Sequence, residues 1–109
     1  MTILDQLAEH ARERVAEAKK KRPLERIRQQ ALSVPKGNFA FENVLKKPGI
    51  SFICECKKAS PSKGLIASDF PYLQIAKEYE AAGADCISVL TEPKCFLGSD
   101  EYLKEITAS

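Results

Sequence analysis

The 109-residue chain is predicted to be an α/β protein with a parallel sheet, on the basis of three observations. Two apolar runs, residues 51–57 and 84–91, have the length and β-branched content of strands. Segments with apolar residues at helical spacing precede, separate and follow them. Strands that alternate with helices favour right-handed crossovers and therefore a parallel sheet. The predicted order is helix, helix, strand, helix, strand, helix.

Two helices are predicted before the first strand. The first covers residues 2–21, where Thr2 is a suitable cap and Asp5 stands three positions on, close to a capping box. Pro23 ends this helix and suits the first turn of a second, shorter one. We interpret the basic run 19–22 as a solvated helix end, because the acidic residues of the same helix nearly balance its charge.

The segment after these helices is a Pro- and Gly-containing loop, residues 35–38. We expect the apolar side chains at 39, 41, 44 and 45 to pack together over another apolar surface. The strand at 51–57 follows and runs into a polar loop, residues 58–68, punctuated by Pro and Gly.

A helix is predicted from about residue 71 to 82, with Gly83 as its C-terminal stop. The run 84–91 is largely apolar, as expected of a strand covered on both faces. A last helix runs from residue 100 to about 107. Two parallel strands cannot surround themselves with helices, so we expect this sequence to be part of a larger fold or to associate.

Composition places the chain among globular, soluble proteins. It is 44% hydrophobic and 29% charged, and its net charge of +2 gives no case for a nucleic-acid or membrane partner. No apolar run approaches the roughly 18 residues of a membrane helix. The amino terminus becomes charged at once, unlike a signal peptide, so we expect a cytoplasmic protein.

Four cysteines (Cys54, Cys56, Cys86 and Cys95) raise the question of a metal or a disulfide. No C-x-x-C spacing exists, and the only histidine is distant in sequence. We expect free, buried thiols that behave as small hydrophobes, and no metal site.

The polar end of the first predicted strand is the candidate active site. Glu55 and Lys57 are two residues apart and therefore project to the same side of a strand. The loop that follows, through Gly64, has donors suited to a phosphate. Parallel α/β proteins build their sites at the carboxyl ends of strands, so this segment predicts a site as well as a fold.

The residues of this segment resemble a known family. The string Glu55-Cys56-Lys57-Lys58-Ala59-Ser60-Pro61-Ser62 is similar to the E-x-K-x-x-S-P-S signature of indole-3-glycerol-phosphate synthases. Residues 76–84 resemble the first barrel helix of that family, and residues 87–92 with 96–99 resemble its second strand and loop. The resemblance extends in order over essentially the whole chain.

The resemblance implies a fold and an activity. It implies the amino-terminal portion of a (β/α)₈ TIM barrel, with residues 1–48 as a helical extension and 49–109 as the first two βα units. The family is a carbon–carbon lyase of tryptophan biosynthesis that uses no metal or organic cofactor. It closes the ring of a phosphorylated small molecule, 1-(2-carboxyphenylamino)-1-deoxyribulose 5-phosphate, with loss of carbon dioxide and water. Because such barrels have ~250 residues, we expect this chain alone to be inactive.

The resemblance also implies residue roles. Lys57 would bind substrate and donate a proton in the dehydration, and Glu55 would orient Lys57 and share in acid–base transfer. Phe96 would pack on the aromatic ring of the substrate. Ser60 and Ser62 would hydrogen-bond the substrate, and Pro61 would stiffen the loop between them. Ser88 would line the pocket.

Two alternatives remain open at this point. Exposed sheet edges could drive self-association of several copies into a composite barrel that is not catalytic as a single chain. A neighbouring isomerase of the tryptophan pathway shares the barrel, but its family lacks the E-x-K-x-x-S-P-S string. Fold alone would not separate these two enzyme families.

Overall fold

The computed structural model describes all of residues 1–109, which form two compact units, Met1–Asn38 and Phe39–Ser109. The first unit contains two helices, α1 (Ile3–Lys21) and α2 (Leu24–Ser33). The elements of the second unit, in order, are α3 (Ala40–Lys46), β1 (Ile53–Cys56), β2 (Ala59–Ser60), β3 (Gly64–Leu65), α4 (Tyr72–Ala81), β4 (Cys86–Val89) and α5 (Asp100–Ala108).

Helix α1 starts and ends within one residue of the predicted bounds, 2 and 21. Thr2 and Asp5 form the capping box of α1: Thr2 Oγ1 accepts the Asp5 amide at 3.2 Å, and Asp5 Oδ2 accepts the Thr2 amide at 3.0 Å. Pro23 precedes the first turn of α2. The basic side chains at 19–21 are exposed in the last turn of α1, which confirms the solvated helix end. None of the helices has the length and apolar character needed to span a membrane.

The second unit is organised around two parallel strands, as predicted. Strand β1 pairs with β4, with Ile53 opposite Cys86 and Cys56 opposite Val89. Both strands are shorter than the predicted runs. One reason is that the Phe52 carbonyl oxygen accepts the amides of both Asp85 and Cys86, at 3.0 and 3.1 Å, which ends the regular ladder at this point.

Helix α4 packs against one face of this sheet. Cys56 and Ala76 are 1% and 3% exposed, and the Tyr79 hydroxyl donates to the Glu55 carbonyl oxygen at 2.9 Å. The side chains of Ile53 and Glu55 alternate with those of the buried positions and therefore lie on the other face. That face is open, since Ile53 remains 52% exposed.

Two predictions about the loops need correction. Residues 40–46 form a helix, and the aromatic side chains of Phe39 and Phe41 remain 59% and 61% exposed, so they are not the buried cover that the sequence suggests. The loop 58–68 contains a small antiparallel hairpin, β2 with β3, whose two-residue strands are too short to give a periodic pattern. The amides of Ile66 and Ala67 close the hairpin by donating to the Lys58 carbonyl oxygen at 2.8 and 3.1 Å.

The four cysteines are free thiols, but only Cys56 is buried. Cys54, Cys86 and Cys95 are half-buried, so the expectation that all four would be buried is wrong for these three. Burial raises the pKa of the Cys56 thiol, and the nearby carboxylate of Glu55 adds to this effect.

Candidate active site

A three-residue polar cluster lies on the open face of the sheet. Glu55 and Ser88 occupy paired positions on β1 and β4, so their side chains project to the same side. The Ser88 hydroxyl donates to Glu55 Oε2 at 2.9 Å, and Lys57 Nζ lies 3.0 Å from Glu55 Oε1. The sequence predicted the Glu55–Lys57 proximity; the strand register adds Ser88 as the partner of the second carboxylate oxygen.

The electrostatics of the cluster keep the carboxylate ionised. The hydrogen bond from Lys57 holds the pKa of Glu55 below its ordinary value, and the bond from Ser88 acts in the same direction against partial burial. The side chains of Lys57 and Glu55 are 36% and 40% exposed, so solvent still reaches the pair. An ammonium held by an ionised carboxylate and open to a ligand can stabilise developing negative charge or deliver a proton.

The Ser-Pro-Ser hairpin follows directly on the carboxyl side of β1. Ser60 is buried, at 8% exposure, and its Oγ accepts the amide of Lys63 at 3.1 Å. A serine hydroxyl that accepts one hydrogen bond still has its own proton to donate. Pro61 and Ser62 are exposed at the tip of the hairpin, where the backbone turns toward Gly64 at φ +64°.

The loop between β4 and α5 carries Phe96, whose side chain is half-buried. Glu92, just after the strand, accepts backbone amides from three residues of this loop, 94–96. Gly98 closes the loop, since its amide donates to the Glu92 carbonyl oxygen at 2.8 Å. Sequence reasoning missed Glu92; an acidic residue between a strand and a Gly-terminated loop was the available signal.

The predicted site residues thus divide into three groups. Glu55, Lys57 and Ser88 are in direct contact. The hairpin residues Ser60, Pro61 and Ser62 follow β1, and Phe96 follows the neighbouring strand β4. The carboxyl ends of adjacent parallel strands lie at the same edge of a sheet, so the topology brings both loops to that edge.

The fold places the chain in a class, the α/β proteins with parallel strands, whose ligand sites lie in general at the carboxyl edge of those strands. A family model described as indole-3-glycerol phosphate synthase matches residues 4–109. The chain therefore belongs to the indole-3-glycerol phosphate synthase family.

Curated relatives agree with this assignment. Indole-3-glycerol phosphate synthases from Ruminiclostridium cellulolyticum and Endomicrobium trichonymphae are 54% and 53% identical over 105 residues, and each match covers 95% of this chain. The relative from Lactiplantibacillus plantarum is 50% identical over 105 residues. The matches cover 40%, 41% and 40% of these three proteins, so the chain spans about two fifths of their length.

Proposed function

We propose that these residues supply the first wall of an indole-3-glycerol-phosphate synthase active site. The substrate is 1-(2-carboxyphenylamino)-1-deoxyribulose 5-phosphate, and the reaction closes its ring with loss of carbon dioxide and water. The observation that carries the proposal is the Lys57 ammonium, held 3.0 Å from Glu55 Oε1 on the open face of the sheet.

The geometry suits the two demands of this chemistry. Ring closure places negative charge on a ketone oxygen, which a fixed ammonium stabilises. Dehydration needs a proton for the departing hydroxyl, which Lys57 can donate. Glu55 orients the ammonium and takes part in the acid–base transfer, while Ser88 fixes the second oxygen of Glu55 at 2.9 Å.

The remaining assignments concern substrate binding. Ser60 has a hydroxyl proton left to donate, and it lies in the hairpin with Ser62 and Pro61. We assign these three residues to hydrogen bonding and shaping of the phosphorylated substrate's site, and Phe96 to contact with its aromatic ring. Ser88 lines the same pocket through its place beside Glu55.

We also propose that residues 49–109 are the first two βα units of a (β/α)₈ barrel and that residues 1–48 are a helical extension. In such a barrel the face with Ile53 and Glu55 lines the interior, and α4 lies outside. Ile53, 52% exposed on that face, is the apolar surface that the interior of a closed barrel would cover. The remaining strands of such a barrel, in the part of the relatives that these 109 residues do not span, are also needed for turnover.

A chimera tests the proposal. Residues 1–109 replace the matching part of the Ruminiclostridium cellulolyticum relative, and formation of indole-3-glycerol phosphate is followed by absorbance. We expect turnover in the chimera, none in the 109-residue chain, and a loss of about 10²-fold or more in Lys57→Ala. Lys77→Ala, on the exposed side of α4, is the control and should behave as the parent. Full activity of Lys57→Ala would remove its catalytic role, and an inactive, folded parent chimera would contradict the proposal.

A second candidate function, self-association into a composite barrel, is favoured by exposed apolar residues before β1 and in the β2–β3 hairpin. Ile50 is 78% exposed and Leu65 is 56% exposed, in addition to the open face at Ile53. Light scattering of the purified chain distinguishes the two functions. A discrete oligomer with turnover would support a composite barrel, whereas a monomer with a cooperative melt would exclude it.

A further inference from the structure

The carboxylate of Glu92 binds three successive backbone amides of the β4–α5 loop. Oε1 accepts the Lys94 amide at 2.9 Å, and Oε2 accepts the amides of Cys95 and Phe96 at 2.6 and 2.9 Å. Successive amides that converge in this way form an anion-binding concavity. Here the anion is part of the chain itself, so the concavity is already filled.

These hydrogen bonds are stronger than ordinary ones, because the acceptor is ionised. They act on a loop that also holds backbone strain. Leu97 has φ +52°, a left-handed conformation that a branched side chain rarely adopts. The adjacent Gly98 lies against the backbone of Leu90, with no space for a side chain. The Glu92 carboxylate therefore holds together the part of the loop that would otherwise relax.

Phe96 is one of the three residues whose amides the carboxylate binds. A bound amide limits the movement of the Phe96 Cα, from which the half-buried ring projects. An aromatic contact depends on ring placement and angle, so a loop free to move loses it.

We propose that Glu92 is a positioning residue for Phe96 and, through it, for binding of the aromatic ring of the substrate. The assignment of Phe96 rests on the proposed function, whereas the role of Glu92 in the loop does not. Glu92 acts before the substrate arrives, by preorganising the loop, and takes no part in proton transfer. Its loss affects KM, because a contact made equally in the ground and transition states changes binding alone.

Hydrogen exchange of the 109-residue chain tests the loop without reference to activity. In Glu92→Ala we expect the amides of residues 94–96 to exchange faster, with little change in β1 and β4. Acetate should restore their protection by entering the emptied concavity. The control, Glu78→Ala, removes the same charge from the exposed side of α4. Exchange of the amides of residues 94–96 should be unchanged in this variant, with or without acetate. Unchanged protection in Glu92→Ala would overturn the proposal.

Kinetics of the chimera test the link to the substrate. We expect Glu92→Ala to raise KM about tenfold, the value of one aromatic contact, with kcat changed less than twofold. Acetate should lower KM again, a rescue that a general loss of structure would not show. A fall in kcat with unchanged KM would overturn the proposal. If the loop loosens and Lys57→Ala retains full turnover, the proposed function has failed and the role of Glu92 in the loop stands.

Discussion

Gly98→Ala is the substitution whose cost is most directly readable from the structure. A Cβ at this position would lie 2.6 Å from the Leu90 carbonyl carbon and 2.9 Å from that of Thr91, and closer still to the Leu90 oxygen. Ordinary contact begins at 3.4 Å, so the loop must move by at least about 0.8 Å. Overpacking of this kind costs about 1–3 kcal/mol.

The same movement breaks the hydrogen bond from the Gly98 amide to the Glu92 carbonyl oxygen, 2.8 Å long. A typical hydrogen bond contributes about 1 kcal/mol, so the total loss is about 2–4 kcal/mol. At a urea m-value of about 1 kcal/mol/M, the midpoint of unfolding should fall by about 2 M or more, or the unit should fail to fold.

Tyrosine fluorescence in urea measures this loss in the second unit alone, because all three tyrosines (72, 79 and 102) lie in it. Gly83→Ala is the control: its φ of +102° is strained for alanine, but no atom lies within 4 Å of the added Cβ. We expect a smaller loss there, about 1–2 kcal/mol. A midpoint for Gly98→Ala equal to that of the parent, or above that of Gly83→Ala, would refute the clash.

Three further predictions concern the polar contacts. Ser88→Ala should raise the pKa of Glu55 in a carboxyl NMR titration, because one hydrogen bond to the ionised form is lost; Ser62→Ala, at an exposed position, should leave it unchanged. The pKa of Asp85 is lowered by the hydrogen bond from Lys47 and then by the Phe52 amide. The stability it contributes is therefore present above the unfolded carboxyl value of about 4 and is lost as pH falls through the folded pKa. Asp85→Asn should flatten this acid limb in thermal melts, and an unchanged limb would contradict the assignment. Thr2→Ala should reduce far-UV helicity by fraying α1; equal helicity would show that the capping box is dispensable.

The sequence was sufficient for the features that depend on local pattern. The capping box at Thr2 and the stop at Gly83 follow from residue type and spacing. The same-side placement of Glu55 and Lys57 follows from strand geometry, and the structure brings their charged atoms to 3.0 Å.

The features that were missed depend on strand register and on loop closure, which local residue patterns do not specify. Ser88 reaches Glu55 only because of the β1–β4 register, 33 positions apart in the chain. Glu92 binds amides two to four positions further on, in a loop that Gly98 closes against the backbone of Leu90. Neither the register nor a loop closure of this kind has a periodic signature in one sequence.

The buried thiol of Cys56 can be used to measure how often helix α4 separates from the sheet. At 1% exposure beneath α4, and with a raised pKa, this thiol reacts with an alkylating reagent only when the helix separates from the sheet. The half-buried Cys54 on the same face supplies an internal reference for reagent access. The ratio of the two labelling rates would thus report the free energy of the opening that exposes Cys56, without any added probe.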